Sequence, residues 1–597
     1  MAKGNISVNS ENIFPIIKKW LYSDKDIFLR ELVSNASDAI TKLKKLQNLG
    51  EAEKTEENFR IDVTLDTENG TLSISDNGIG MTEDEVIKYI TQIAFSGATD
   101  FIEKYKDEDK KDDIIGHFGL GFYSAFMPSD AVTIDTLSYK EGAKAVKWTS
   151  DGSMEYEITE STKTTRGTTV TLKIAEDSKE FLEEMTLRAT LNKYCSILPT
   201  EIFLNVLPKK DDETDEKPIN DTTPLFLKKP SECEDAEYLD FYTKTFMDFT
   251  PPLFWIHLNI DYPFNLKGIL YFPKINHEFA AQEGQIKLYN NQVFVADNVK
   301  EVIPDFLLLL KGVIDCPDLP LNVSRSFLQN DGYVKKISSH ITKKVADKIA
   351  DLYKKDRENY EKYWDDINIF IKYGCLRDEK FFGKVKDYIL YKDLDGKYLT
   401  MEDLKGDKEN CVLYYVTDEN VQSQYINMLK NQGENAILMP SVMDTHFMSF
   451  IESKQEGIKF KRIDSAVEGT EESADALITL FKDTLNKEEL KIEAKGLNAD
   501  EMPAMLLVSE ESRRMKEMYR SYGQQFMGMS EMFKEEYTLL LNTNNEVIKK
   551  LPDLDKDKQE LLIGQIFSLA TLCNKPLSPQ ELTDFMARNN KIMQMLI

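Results

Sequence analysis

The chain has 597 residues, enough for about three to five domains and several apolar cores. With 103 acidic against 75 basic side chains it carries a formal charge of -28, and a field of that sign repels nucleic acid and anionic lipid. Hydrophobic residues at 41% exclude wholesale disorder, while six well-separated cysteines without a C-x-x-C pair and five scattered histidines point to a reducing compartment and no zinc site.

The N-terminus lacks the basic and then apolar pattern of a signal peptide. The strongest apolar run, Phe306 to Leu310, stops at Lys311, so no membrane span and a cytoplasmic location are expected. From Asp26 to Leu46, Leu29, Leu32, Val33, Ala36, Ile40 and Leu43 fall on one helical stripe. On the same helix Glu31, Asn35, Asp38 and Lys42 fall at i, i+4, i+7 and i+11, which at about 100° per residue gathers them in one sector opposite that stripe. A solvated helix surface has the same pattern.

Arg60 to Leu65 and Thr71 to Ser75 alternate like half-buried strands, and DNGIGMT, Asp76 to Thr82, follows directly, with Thr82 and Glu85 set as a capping box. An acid at a strand end can accept a hydrogen bond from an amino group, and Gly78 and Gly80 would let a ring approach the backbone, although D-N-G is also an ordinary turn. GHFGLGFYSAF then places Gly116, Gly119 and Gly121 before a helix-like stretch, where bare N–H groups suit phosphate oxygens. It is neither a Walker A loop nor a dinucleotide fingerprint. Strand patterns at 131–137, 143–148 and 168–174, the last opened by Arg166 and Gly167, complete a mixed sheet, so residues 1–208 read as an α+β domain.

A polar segment at 209–224 reads as a short charged linker, and 225–474 mixes strands such as 268–273 and 292–297 with helical stretches near 335–363, a second α/β domain. Residues 475–597 read as helix-rich and hold Met515, Met518, Met527, Met529 and Met532. Ser578, Pro579 and Glu581 open a terminal helix whose stripe of Leu582, Phe585, Met586, Met593 and Leu596 packs either within its own domain or on a partner. The fold class expected is α+β and multidomain.

The elements are weak singly, but ExxxNAxDA, DxGxGM, GxxGxG and GT follow in this order between Glu31 and Thr168. The set resembles the nucleotide-binding fold shared by DNA gyrase, heat shock protein 90, histidine kinases and the mismatch-repair protein MutL. FLRELVSNASDA, DNGIGMT, IGHFGLGFYSAF and, further on, LPLNVSRSFLQ resemble the heat shock protein 90 family over essentially the whole chain, its short-linkered bacterial branch in particular.

The resemblance implies an N-terminal α/β sandwich that binds ATP and Mg²⁺, a middle domain, and a C-terminal domain that joins a homodimer. It implies an ATP-dependent chaperone that hydrolyses ATP to ADP and phosphate, binds partly folded clients and cycles between open and closed states, with other chaperones as possible partners. Asp76 would bind the adenine amino group, supported by Thr168, with Gly80, Met81 and Phe122 near the base. Asn35 would coordinate Mg²⁺, Asp38 and Lys42 would border the pocket, and Gly116, Gly119 and Gly121 would cradle phosphates. Glu31 would be the general base or water-positioning group, and Arg325, flanked by Asn322 and Gln329, would reach the γ-phosphate from the middle domain. Residues 94–121 would form a lid. There the family commonly reads IAKSGT and this chain reads IAFSGA, so Phe95 replaces a lysine and Ala98 a threonine. That change keeps open a nucleotide-gated scaffold with vestigial hydrolysis, whereas a DNA-processing ATPase is disfavoured by the acidic charge.

Overall fold

The computed structural model describes residues 24–54, 58–92, 119–153, 155–208, 217–274, 285–299, 302–319, 332–465, 474–487, 489–497, 501–509 and 536–595, with single positions and one pair between them. The chain divides into two compact units, Met1–Val345 and Ala346–Ile597.

In the first unit the apolar stripe folds as helix α1, Ile27–Leu49, which stops at Gly50 in the left-handed region, φ 77°, with its N–H turned back onto the carbonyls of Leu46 and Gln47. Asp26, at the helix start, does not cap it; its carboxylate accepts from Lys193 Nζ and Tyr194 OH, both at 3.0 Å. The strands are β1 (Arg60–Asp66), β2 (Thr71–Asp76), β3 (Ser129–Leu137), β4 (Val146–Ser150), β5 (Glu157–Glu160), β6 (Gly167–Ile174) and β7 (Glu201–Leu207), in spatial order β5-β4-β3-β6-β2-β1-β7. All pairs are antiparallel except β1 with β7. Period-two burial puts Ile61, Val63 and Leu65 of β1 inward, and Leu72 and Ile74 of β2. Asp76 continues that period, so the strand points a carboxylate into the apolar face.

Helices α2 (Glu83–Tyr89) and α3 (Glu184–Cys195) and two 3-10 helices, Gly121–Phe126 and Glu176–Leu182, accompany this sheet. The glycine loop therefore runs into one tight 3-10 segment rather than an α-helix. The same unit holds a second sheet, β8 (Phe254–Ile260), β9 (Leu266–Phe272), β10 (Ile286–Asn290), β11 (Val293–Asp297) and β12 (Lys311–Asp315), ordered β11-β10-β12-β9-β8. One apolar cluster takes in Leu29, Ile74 and Val132, then Tyr194 of α3, then Tyr289, Phe294 and Val313 of the second sheet.

In the second unit Cys411–Val416 lies between Ile437–Leu438 and Ile458–Arg462 in a parallel three-stranded sheet. A four-stranded sheet follows, Thr470–Glu471, Lys491–Gly496, Tyr537–Asn542 and Ala504–Val508 in spatial order. The region from Asp475 onward is thus not helical alone. Its short apolar runs, such as Leu539–Leu541, carry no period that separates strand from helix. The terminal helix, Pro579–Met595, packs on Lys556–Leu572 and opens with the expected box: Ser578 N–H donates to Glu581 Oε2 at 2.9 Å and Glu581 N–H to Ser578 Oγ at 3.4 Å. It buries no residue fully, and Leu582, Met586, Met593 and Met595 are exposed. Among the described residues no helix is long and apolar enough to cross a membrane.

Candidate functional site

The polar sector of α1 is not a solvated surface. Glu31 and Asp38 are buried, Lys42 is half-buried and Asn35 alone is exposed. Burial lowers the Lys42 amine from its ordinary value, and the nearby Asp38 charge opposes that shift. Glu31 Oε1 accepts from Arg30 Nη2 at 2.7 Å and Nε at 3.0 Å, an ion pair removed from water. Its other oxygen lies against Gly121, where an added Cβ would stand 2.6 Å from Oε2, so a larger residue at the start of the 3-10 segment would push the carboxylate aside.

Asp76 is buried at the inward end of β2. Burial pushes its carboxyl up to about 7, opposed by the N–H of Gly78, 2.8 Å from Oδ1, by the Thr168 backbone and by the charges of Lys163 and Arg166. The strands set its neighbour, since Asp76 pairs with Thr168 across β2 and β6. Thr168 shares a hydroxyl contact of 2.9 Å with Thr136, and Thr136 Oγ1 accepts the N–H of Met81 at 2.9 Å. The Arg166 guanidinium donates to the carbonyls of Asn77 and Gly78 and clamps the turn. Ile79 N–H donates to Ala39 O at 3.1 Å, which docks the turn on α1 one residue beyond Asp38. Gly80, at φ 62°, packs so closely on the carbonyl of Leu137 that a Cβ there would clash. The Thr82 and Glu85 capping box forms as expected.

Phe122 is partly buried and meets Trp148 edge-on at 5.8 Å. Phe95 stacks on Tyr89 at 6.3 Å, with Lys88 Nζ 5.2 Å from its ring, and the Phe95 carbonyl meets Gly119. Gly116, Ala98, most of the lid segment, Asn322, Arg325 and Gln329 lie outside the described residues.

Three stretches far apart in sequence thus converge on α1: the 3-10 segment at Glu31, the turn after β2 at Ala39, and through that turn the Asp76, Thr168 and Met81 network. Arg30, Thr136 and Arg166 do this positioning without appearing among the expected site residues. Arg30 gave no signal, because adjacent helical positions do not face each other. Thr136 had a weak one, its place on the inward face of a strand beside the GT pair.

The family model "Histidine kinase-, DNA gyrase B-, and HSP90-like ATPase" matches residues 24–183, the stretch that holds this constellation, and "Hsp90 protein" matches residues 180–597. The chain is 47% identical over 586 residues to "Chaperone protein HtpG" of Bacteroides thetaiotaomicron, covering 93% of this chain and 85% of that protein. The protein of the same name in Porphyromonas gingivalis is 44% identical over 94% of this chain and 85% of its own length, and that of Cronobacter sakazakii 31% over 91% and 92%. Site order, an α+β multidomain fold and similarity over nearly the full length converge: the chain belongs to the heat shock protein 90 family, on its HtpG-like side.

Proposed function

We propose that the chain is an ATP-driven chaperone working as a homodimer in the cytoplasm, with residues 1–208 binding nucleotide, 225–474 completing the site and 475–597 joining the two copies. The observation that carries the ATPase part is the buried Glu31 carboxylate, one oxygen held by Arg30 and the other against the glycine loop at Gly121. Asp76 takes the adenine amino group, with Thr168 behind it and Gly80, Met81 and Phe122 around the base. The backbone of Gly116, Gly119 and Gly121 cradles the phosphates. A water placed by Glu31 attacks the γ-phosphorus, the bond to the β-phosphate oxygen breaks, and the water's proton passes to the carboxylate.

Magnesium fits the donors present. Asn35 offers an exposed neutral amide oxygen between two buried carboxylates, a hard donor that adds no charge beside a triphosphate. When bound, the ion neutralises phosphate charge. Asp38 and Lys42 border the nucleotide pocket, and Arg325, between Asn322 and Gln329, answers the γ-phosphate. Because contacts from residues 1–208 and from Arg325 meet only when those parts dock, ATP favours a closed state by differential binding. The exposed Leu582, Met586, Met593 and Met595 of the terminal helix support the dimer, and exposed methionine suits adaptable contact with partly folded clients and with other chaperones.

The test is phosphate release together with light scattering of an aggregating client, with and without ATP. Glu31→Gln keeps an acceptor for Arg30 but cannot take the proton. It is expected to bind ATP by isothermal titration, to lose turnover about a hundredfold or more, and to lose the effect of ATP on the client. Wild-type turnover in this variant would overturn the assignment.

A further inference from the structure

The Arg30 and Glu31 pair does not end at α1. The Arg30 guanidinium carbon lies 5.7 Å from the centroid of the Tyr194 ring, within cation–π range, and Arg30 and Tyr194 are both buried. Tyr194 is fixed at its hydroxyl, which donates to Asp26 Oδ1 at 3.0 Å, while Lys193 Nζ donates to Asp26 Oδ2 and lies 4.5 Å from the same ring. The ring itself meets Phe294 edge-on, centroids 5.8 Å apart at 62°. Phe294 stands on β11, the edge strand of the second sheet, and is braced there by Tyr289 at 5.6 Å. Next to Tyr194 the thiol of Cys195 is buried, and burial pushes it up to about 12.

We infer that Tyr194 and Phe294 are positioning residues for ATP hydrolysis: the second sheet, through the Phe294 ring, holds Tyr194 against Arg30 and so fixes the Glu31 carboxylate that faces Gly121. This rests on Glu31 being the base. The Arg30 fork places two N–H groups on one carboxylate oxygen, and that grip is only as exact as the guanidinium plane, against which the Tyr194 ring packs. Tyr194 is held from two sides, by Asp26 on its hydroxyl and by Phe294 on its ring. Removing the second support leaves the hydroxyl anchor and frees the ring to tilt, so the carboxylate shifts without the nucleotide pocket being touched. A misplacement of about 1 Å at a reacting group can cost up to about a hundredfold in rate.

Phe294→Leu keeps apolar volume and loses the ring. In the full-length chain it is expected to lower kcat for ATP about tenfold while KM and nucleotide affinity stay within about twofold, and Phe294→Tyr, which keeps the ring, is expected to restore kcat. Arg30→Lys keeps the charge and loses the fork, with a similar fall. Adding Phe294→Leu to Arg30→Lys should lower kcat no further, because both act through one grip on Glu31. Independent, multiplying effects, or a normal kcat in Phe294→Leu, would overturn the inference. Glu31→Gln run beside them separates the two readings: turnover retained there removes the base itself, whereas an inactive Glu31→Gln with a wild-type Phe294→Leu removes only the ring relay.

Discussion

Two helices of this chain break the usual amphipathic rule in opposite directions. Helix α1 takes charge inside, with Arg30, Glu31 and Asp38 all buried, while the terminal helix, Pro579–Met595, leaves Leu582, Met586, Met593 and Met595 in water and buries no residue fully. Each departure costs stability in an isolated chain. A buried ion pair barely recovers its desolvation, and an exposed apolar stripe forfeits about 25 cal/mol for each Å² left wet. The difference lies in what relieves the cost. Around α1 relief comes from this chain itself, through the Arg30 fork on Glu31. Around the terminal helix it has to come from something added, which is the physical content of the proposed dimer.

That contrast can be broken most sharply at the terminal helix. Leu582→Glu with Met586→Glu puts charge into the proposed seam while leaving the core of the second unit untouched, and is expected to weaken dimerisation about a hundredfold or more by sedimentation. Unchanged association would mean that the stripe serves another purpose. The site half is sharpened by pH. Because burial raises the Asp76 carboxyl from its ordinary 3.8 to about 7, the folded chain increasingly holds it neutral as pH falls through 7. If the carboxylate accepts from the adenine amino group, nucleotide affinity should fall about three- to tenfold between pH 7 and pH 6 by titration calorimetry. A flat profile would argue that Asp76 binds in either form. The linked stability effect has the reverse sign. The cost of burying the ionised group is fully present above pH 7 and is relieved as pH drops from 7 toward the unfolded value. Smallest is Ser578→Ala, which removes one cap and should cost about 1 kcal/mol, read as a modest loss in thermal unfolding with dimerisation retained.

Much of α1 was legible because an apolar stripe at helical spacing survives in sequence, and the two capping boxes at Thr82 and Ser578 were legible because both partners lie three residues apart. The order of the glycine motifs carried the family. Spacing could place Glu31 and Asp38 in one sector but could not tell whether water or protein covers that sector, since the cover comes from residues some 90 positions away at Gly121. Gly121 was expected to serve phosphates and also lies against a carboxylate. The strands 491–496, 504–508 and 537–542 went unread because short apolar runs look alike in either element.

The docking of Ile79 on the carbonyl of Ala39 has a consequence for how this protein can change over time. One helix supplies Glu31, Asn35, Asp38 and the seat for the turn that bears Asp76, so the angular phase of α1 is shared by every wall. A single inserted or deleted residue between Arg30 and Ala39 would rotate one wall by about 100° against the others. Substitutions can be tried there one at a time. Changes of length cannot, and this segment can drift in spelling but never in register.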